Sequence, residues 1–532
     1  MKTNITKIFA GMFCAASLFT TTSCIDETFP TNAATQDQVT ASEKASEALL
    51  WAMPAFLNDE STVAGNHYEW GYGSQMHIRD VMTGDMTVVA TGYDWYSSWA
   101  LNQGQGENSA RTQYIWNYYW KFVQTANNVI RSIDKTTATS SQIGMLGAAQ
   151  AYRALAYLDM AQMYEFLPNE VTDTINEAGN NVKNLTIPIV TELTTEEDAR
   201  NNPRVSREEM AEFILADLDS AELNIRNITF SDKVIPHLDA VYGLKARAYM
   251  WLGDYENAKK YARLSIDNNT GKVMTEEQCL STTAGFNDPT PWMWAATTMK
   301  EDDVVKTGIL NWASWMSPEA QYGYNAAGAT SMIDASMYNR ISNTDFRKLM
   351  FKAPEGHALE SKVPYIDAEF AAGLPEYAAI KFRPNAGNTQ EYTVGSSTSY
   401  PIMRVEEMYF IEAEAAEHLI AGEGIALLTD FMTTYRNADY MVNPNADAID
   451  EIVFQKRVEL WGEGLTFFDI KRLDMSVTRG YEGSNVDAAR QYNTNGRPAW
   501  MNTCIVITEK NNNKALIDWE NPDPTGKYKA AK

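Results

Sequence analysis

Residues 240–267 read AVYGLKARAYMWLGDYENAKKYARLSID, and this run has the clearest structural pattern in the chain. Apolar residues recur in it at intervals of three and four, as on one face of a helix. The two amphipathic runs meet at Gly253-Asp254-Tyr255. Small and aromatic residues lie where two paired helices would approach each other, at Ala246, Tyr249, Ala258 and Ala262. The pattern predicts a tightly packed helix pair.

The turn glycine, the aromatic residue two positions later and the following alanine also fall in register with the tetratricopeptide repeat of about 34 residues. Residues 150–167 and 403–436 look like degenerate copies, the second with its turn at Gly422 or Gly424. Such units bury their apolar faces only by stacking, so we expect at least three of them. Further helices are expected near 41–57, 109–134, 206–226 and 446–463. The fold class is therefore all-α, a helical-repeat scaffold mainly in 109–268 and 401–475, with minor β hairpins.

The composition changes in residues 61–106 and about 270–400, which are rich in Gly, Ser, Thr, Pro, Asn and aromatic residues. They have little helical period, so we expect irregular loops there. Loops held on a rigid scaffold often carry binding residues. Indole rings can stack on the apolar face of a sugar while amides take its hydroxyls. Two aromatic clusters stand in these loops: Trp70, Tyr72, Tyr93, Trp95, Tyr96 and Trp99, then Trp292, Trp294, Trp312, Trp315, Tyr322 and Tyr324. Nearby amides are Asn102, Gln103, Gln105, Asn108, Asn311, Gln321 and Asn325. Any one of these aromatics could instead pack its loop onto the scaffold, so the prediction concerns a subset.

The N-terminus has the parts of a secretion signal. Lys2 and Lys7 precede an apolar run from residue 8 to 19, and small residues then lead to Cys24. A cysteine at that point fits a bacterial lipoprotein, in which residues 1–23 are removed and Cys24 carries the acyl chains that hold the body, residues 24–532, at a membrane. The alternative is a plain secreted protein cleaved near Ser23. Later in the chain, no segment has 18 uninterrupted apolar residues.

Charge and cysteine content exclude several functions. Removal of Lys2 and Lys7 takes the formal net charge from −25 to −27, a sign that repels nucleic acid. With Cys24 used by lipid, Cys279 and Cys504 allow at most one disulfide and no cysteine zinc site. Whether those two cysteines pair is left open by the sequence.

Signs of catalysis are poor. The five histidines are scattered, without HExxH or a comparable metal-binding spacing, and no GxSxG motif occurs. GYG at 71–73 and GEG at 462–464 lack the context of a nucleotide-binding loop and are interpreted as turns. We therefore expect a protein that is not an enzyme, with no cofactor and no metal site.

Three segments resemble the SusD/RagB family of outer-membrane nutrient-capture lipoproteins, and the likeness covers nearly all of the mature chain. They are AAQAYRALAYLDMAQMYEFLP at 148–168, PIMRVEEMYFIEAEA at 401–415 and IVFQKRVELWGEGLTFFDIKRLD at 452–474. The last is the most specific, being similar to the block ERxxELxGEGxRxxDLxRxG. It departs from that block at Lys456, where glutamate is usual, and at Thr466, where arginine is usual.

The resemblance implies a tetratricopeptide scaffold whose loop-rich half binds ligand and which acts as a lid on a SusC-like TonB-dependent transporter, facing outward at the cell surface. By rough position it also implies ligand-binding aromatics at Tyr93, Trp95, Trp99, Trp312, Trp315, Tyr322 and Tyr324. The ligand would be an oligosaccharide or polysaccharide, with an oligopeptide as the alternative. A purely structural scaffold or a hydrolase is a less favoured interpretation of the function.

Overall fold

The computed structural model describes residues 42–59 and 65–531, so Cys24 and the signal segment lie outside the described residues. The fold is all-α, as predicted. Helices of seven or more residues within the described part are α1 (Glu43–Phe56), α2 (Tyr72–Val81), α3 (Ala110–Arg131), α4 (Ser140–Tyr164), α5 (Arg207–Asn224), α6 (Leu238–Leu252), α7 (Tyr255–Asp267), α8 (Val405–Leu419), α9 (Glu423–Tyr435), α10 (Ala448–Glu459) and α11 (Thr466–Arg472).

Local sequence explains where these helices begin and end. Thr139 and Gln142 form a capping box at the start of α4, each side chain bonded to the other residue's backbone N–H. The Ser206 hydroxyl accepts the Glu209 N–H at 3.1 Å at the start of α5. Gly253 ends α6 with φ 73°, which a residue with a Cβ adopts only under strain, and Asp254 then caps α7. The predicted turn of residues 240–267 is therefore confirmed.

The long helices form a stack in which most neighbours in sequence are neighbours in space. Helix α3 packs on α4, α4 on α5, α5 on α6 and α6 on α7; α8 then packs on both α7 and α9. The copy predicted at 403–436 is indeed the pair α8–α9, with Gly422 at the start of α9. The copy predicted at 150–167 belongs instead to one continuous helix, α4, whose packing partner α5 begins after a long excursion.

The other regular elements of residues 42–59 and 65–531 are four strands and many short helices. The strands are β1 (Met86–Val88), β2 (Trp294–Thr297), β3 (Ser331–Ile333) and β4 (Ser399–Met403), which pair antiparallel as β1–β3 and β2–β4. We expected hairpins, but the pairs join distant segments, with Met86 opposite Ile333 and Trp294 opposite Met403. The short α-helices are Ser97–Ala100, Glu196–Ala199, Glu276–Leu280, Asp303–Lys306, Trp312–Met316, Gly323–Ala326, Ala335–Arg340, Ala368–Ala372, Tyr392–Gly395 and Ile507–Asn512.

The fold bears on the two remaining cysteines and on membrane-spanning helices. Cys279 and Cys504 are both buried and both free, so no disulfide joins them. None of the helices in the described ranges combines the length and the apolar character that crossing a bilayer demands.

Candidate functional site

The β1–β3 pair brings the two loop-rich segments together. Val88 lies opposite Ser331 in the register, and the pairing continues one step further because Val89 N–H donates to the Thr330 carbonyl at 3.0 Å. The loop that follows β1 carries Tyr93 and Trp95, and the segment that precedes β3 carries Tyr324. Aromatic residues more than 200 positions apart in sequence therefore meet at one place.

Four residues form what we call the outer tier: His67, Tyr93, Trp95 and Tyr324. Tyr93 is 66% exposed and His67 and Trp95 are partly exposed, whereas Tyr324 is only 5% exposed. The His67 ring lies 4.8 Å from Trp95, centroid to centroid, and its Nδ1 is hydrogen-bonded to the Tyr324 hydroxyl. His67 thus connects the two loop segments, and the sequence analysis missed it because an isolated histidine has no motif or spacing to distinguish it.

A buried layer lies beneath the outer tier, and we call it the inner tier: Tyr68, His77, Tyr96, Trp99 and Trp315. Trp315 stacks on Tyr324 at 3.9 Å with an interplanar angle of 14°, and it also contacts Tyr96 at 4.7 Å, edge to face. Tyr68 meets Trp99 edge to face at 4.8 Å. Offset and edge-to-face aromatic pairs stabilise each other beyond simple burial. The inner tier therefore fixes the positions of the rings above it.

The predicted site residues consequently divide into groups. Tyr93, Trp95 and Tyr324 come together in the outer tier. Trp99 and Trp315 are 1% and 0% exposed, so they support that tier from below and offer no ring face to a ligand in this conformation. Trp312 is 0% exposed and stacks on Tyr400 in the core, while Tyr322 lies apart beside Tyr392.

Most of the amides expected to take sugar hydroxyls have structural roles instead. Asn102 donates to the Pro524 carbonyl at 2.9 Å, and Asn325 donates to the Ala313 and Ser317 carbonyls. Asn311 and Gln105 are likewise buried and bonded to backbone carbonyls. Buried loop backbone needs hydrogen-bond partners, and these side chains supply them.

The outer tier carries little charge. Burial raises the pKa of Tyr324 to about 12 and lowers the pKa of His67, so both side chains are neutral near pH 7. The carboxylate of Asp94, between Tyr93 and Trp95, forms an ion pair with Arg490. The outer tier therefore presents the rings of Tyr93 and Trp95 beside the neutral imidazole of His67, a surface suited to stacking and to hydrogen bonding.

The 452–474 block has a structural role in the core. Glu459 accepts from Arg436 Nε at 2.8 Å and also pairs with Arg404 and Arg347, all of them buried. Burial alone would raise the pKa of Glu459, but these guanidinium groups hold it well below its usual value. Gly464 has φ 70°, and a Cβ there would lie 2.7 Å from Met76 Cα. GEG is thus a turn in a packed, charge-balanced core, as expected.

A helical stack that displays aromatic loops defines a ligand-binding scaffold protein. Two family models match the chain: one described as "Starch-binding associating with outer membrane" over residues 36–250, and one described as "SusD family" over residues 376–526. The chain belongs to the SusD/RagB family.

Relatives and solved structures agree with that assignment. SusD-like protein P2 of Formosa agariphila is 23% identical over 79% of this chain and 84% of its own length. A SusD-like carbohydrate binding protein from Bacteroides vulgatus has a TM-score of 0.67 at 21% identity, covering 90% of this chain and 98% of that one. A SusD superfamily protein from Bacteroides thetaiotaomicron has a TM-score of 0.65 at 18% identity, covering 89% and 98%. At these identities the solved structures establish the fold.

Proposed function

We propose that this protein captures a glycan at the outer tier, breaks no bond in it, and delivers it to a transporter in the outer membrane. The observation that carries the proposal is the convergence of His67, Tyr93, Trp95 and Tyr324 from two distant loop segments. Family membership supports it, since a matching model is described as starch-binding and one structural relative as carbohydrate binding.

The chemistry of the outer tier favours a saccharide over an oligopeptide. Sugar rings present apolar C–H faces that stack on indole and phenol, and hydroxyls that bond to groups such as imidazole. A peptide-binding site would offer an unpaired strand edge or charged pockets. The charged pair beside the outer tier, Asp94 with Arg490, is already satisfied internally. An oligopeptide is the second candidate ligand, because the fold is compatible with both ligand classes.

Removal of the exposed rings tests this proposal. In the double variant Tyr93→Ala/Trp95→Ala we expect Kd for the retained polysaccharide to rise at least tenfold, about 1.4 kcal/mol, because stacking area is lost. Binding is measured as retardation in native gels that contain amylopectin, xyloglucan, galactomannan or inulin, with a tryptic casein digest as the peptide probe.

Trp519→Ala is the matched control, because Trp519 is 38% exposed and lies in the C-terminal segment. It should bind as the unaltered protein does. Unchanged retardation of the double variant would refute the outer tier as the site, and binding of casein peptides alone would establish the second candidate.

The signal segment and Cys24 support attachment to the outer membrane by a lipid anchor. Metabolic labelling with radioactive palmitate should mark the unaltered protein and leave Cys24→Ala unlabelled and released from the membrane fraction. Label on Cys24→Ala would contradict the anchor.

The helical repeats support docking to a SusC-like TonB-dependent transporter, with the stack against the transporter and the outer tier facing the ligand. Such scaffolds present extended surfaces to protein partners. Detergent extraction followed by affinity purification of this chain should recover a large outer-membrane β-barrel protein in stoichiometric amount. Recovery of this chain alone under mild extraction would argue against a stable complex.

A further inference from the structure

A groove lies along helix α3, apart from the outer tier, and none of its residues belongs to that tier. It has a volume of about 560 Å³ and is bounded by α3, by the loop at 190–194 and by the short helix Ile507–Asn512. Ligand sites generally span about 300–1,000 Å³. The groove follows α3 from Asn117 to Arg131, about 21 Å at the rise of an α-helix.

The helical period of α3 separates this groove from the proposed capture site. Tyr114 contacts Tyr68 of the inner tier at 5.6 Å, centroid to centroid. Trp116 follows two residues later, about 200° further around the helix, and Trp120 and Gln124 continue the same stripe. One helix therefore supports the inner tier on one side and forms the floor of the groove on another.

Trp120 supplies an apolar platform in the floor. Its side chain is partly exposed, yet its Nε1 is inaccessible and has no hydrogen-bond partner among the described residues. The exposed part of the side chain is therefore carbon. Trp116 and Tyr157 pack against the ring edge to face, with centroids at 5.5 and 6.1 Å. A fixed indole with an exposed carbon surface is the group on which a sugar ring stacks.

Free amides line the wall beside this platform. Gln124 and Asn128 are exposed, and their side chains form no hydrogen bond with other described residues. Asn512 donates to the Thr508 carbonyl at 2.7 Å, which leaves its amide oxygen available. The two basic residues of the groove, Lys121 and Arg131, already have partners. The one acidic residue of the lining, Glu509, accepts a hydrogen bond from the Asn513 side-chain amide at 3.3 Å. The groove thus offers amide donors and acceptors next to an apolar ring.

We infer that the α3 groove is a second saccharide-binding site, which takes a neutral oligosaccharide and is separate from the outer tier. The Trp120 ring can stack on the apolar face of a sugar, and the amides of Gln124, Asn128 and Asn512 can bond to the hydroxyls that border that face. With two such sites, one polysaccharide chain bound at both would be retained more strongly than either site allows alone.

The test combines two sets of substitutions. The groove variant is Gln124→Ala/Asn128→Ala/Asn512→Ala, and it is combined with Tyr93→Ala/Trp95→Ala of the outer tier. Maltohexaose, cellohexaose, mannohexaose and xylohexaose are the probes, and binding is measured by saturation-transfer NMR. The outer-tier variant should keep weak binding of at least one probe, and adding the groove substitutions should reduce the transferred signal at least fivefold.

The matched control is Asn201→Ala/Asn495→Ala/Asn511→Ala, which removes three exposed amides outside the groove. It should leave the residual binding unchanged. Equal signal with and without the groove substitutions, or no residual binding to any probe, would overturn the second site. Unchanged saccharide binding together with loss of co-purifying transporter would also overturn it and would assign the groove to a protein partner. Failure of the outer-tier proposal is seen separately, as undiminished binding in the outer-tier variant with the groove intact.

Discussion

His77 lies fully buried in the inner tier, and neither of its ring nitrogens has a hydrogen-bond partner among the residues that the structure describes. Its ring meets Tyr96 edge to face at 4.3 Å and lies 6.1 Å from Trp315. Burial among these rings lowers the pKa of His77 to about 3, because a charged imidazolium there would lose its hydration without compensation. The residue is therefore neutral in the folded protein and is an acid-sensitive point beneath the proposed capture site.

The variant His77→Phe should show this sensitivity. The unfolded chain takes up a proton at His77 below about pH 6.5, whereas the folded protein does so only near pH 3. The contribution of the neutral His77 to the free energy of unfolding is therefore complete above pH 6.5 and decreases as the pH falls below that value. Between pH 7.5 and 5.5 the unaltered protein should lose about 1.4 kcal/mol more free energy of unfolding than His77→Phe. Urea unfolding at a series of pH values measures the difference.

His357→Phe is the control, because His357 is partly exposed and burial lowers its pKa to a lesser extent. Its stability curve should stay close to that of the unaltered protein. Parallel curves for His77→Phe and the unaltered protein would show that His77 does not titrate as its burial requires.

Individual aromatic residues illustrate what the sequence could and could not predict about the site. Trp95 and Trp315 stand in equally Gly-rich, Asn-rich loops, yet one is partly exposed and the other has no exposed surface. The difference arises because the 331–333 strand and the Ser331 hydroxyl, bonded to the Trp315 carbonyl at 3.0 Å, fold the second loop back over its own tryptophan. That contact is between a strand and a short helix, and no local pattern indicates it.

Helices were predictable from the sequence because their signals are local. The turn at Gly253, the cap at Asp254 and the α8–α9 pair all depend on residues within a few positions of each other. The strands depend on partners more than 100 residues away, such as Trp294 opposite Met403, and their short lengths give no clear alternation.

Lys456, which stands where the family block usually has glutamate, is explained by the packing of two helices. Lys456 on α10 pairs with Asp469 on α11 at 2.9 Å, and Arg472 bonds the same carboxylate. The positive charge therefore joins two consecutive helices around the GEG turn. The change at this position is accommodated by a local ion pair and leaves the block's geometry intact.

On the scale of the whole molecule, the C-terminal segment returns to the N-terminal half. Trp500 Nε1 donates to the Met82 carbonyl at 2.9 Å, and Asn513 donates to the Asn202 carbonyl at 2.7 Å. The two regions that match family models, 36–250 and 376–526, are thus joined by direct contacts as well as by the chain between them. We expect them to unfold together.

Arg204 is the clearest single connection, and its replacement tests that expectation. Its guanidinium bonds the carbonyls of Tyr164, Thr186, Leu185 and Trp519 and the amide oxygen of Asn521, and burial lowers its pKa to about 9. Lysine keeps the charge at pH 7 but has three donors for these five acceptors. Arg204→Lys should therefore cost about 2–4 kcal/mol of the free energy of unfolding.

Urea unfolding followed by both circular dichroism and tryptophan fluorescence measures this loss, and the two signals should change at one midpoint in both proteins. Arg200→Lys is the matched control, because the Arg200 side chain is 58% exposed and pairs with Glu196 within one helical turn. Its effect should stay below about 0.5 kcal/mol, as for other surface ion pairs. If Arg204→Lys separated the two signals into different midpoints, Arg204 would be the contact that couples the halves. If it matched Arg200→Lys, the coupling would have to reside in other contacts, such as the hydrogen bond from Trp500 to Met82.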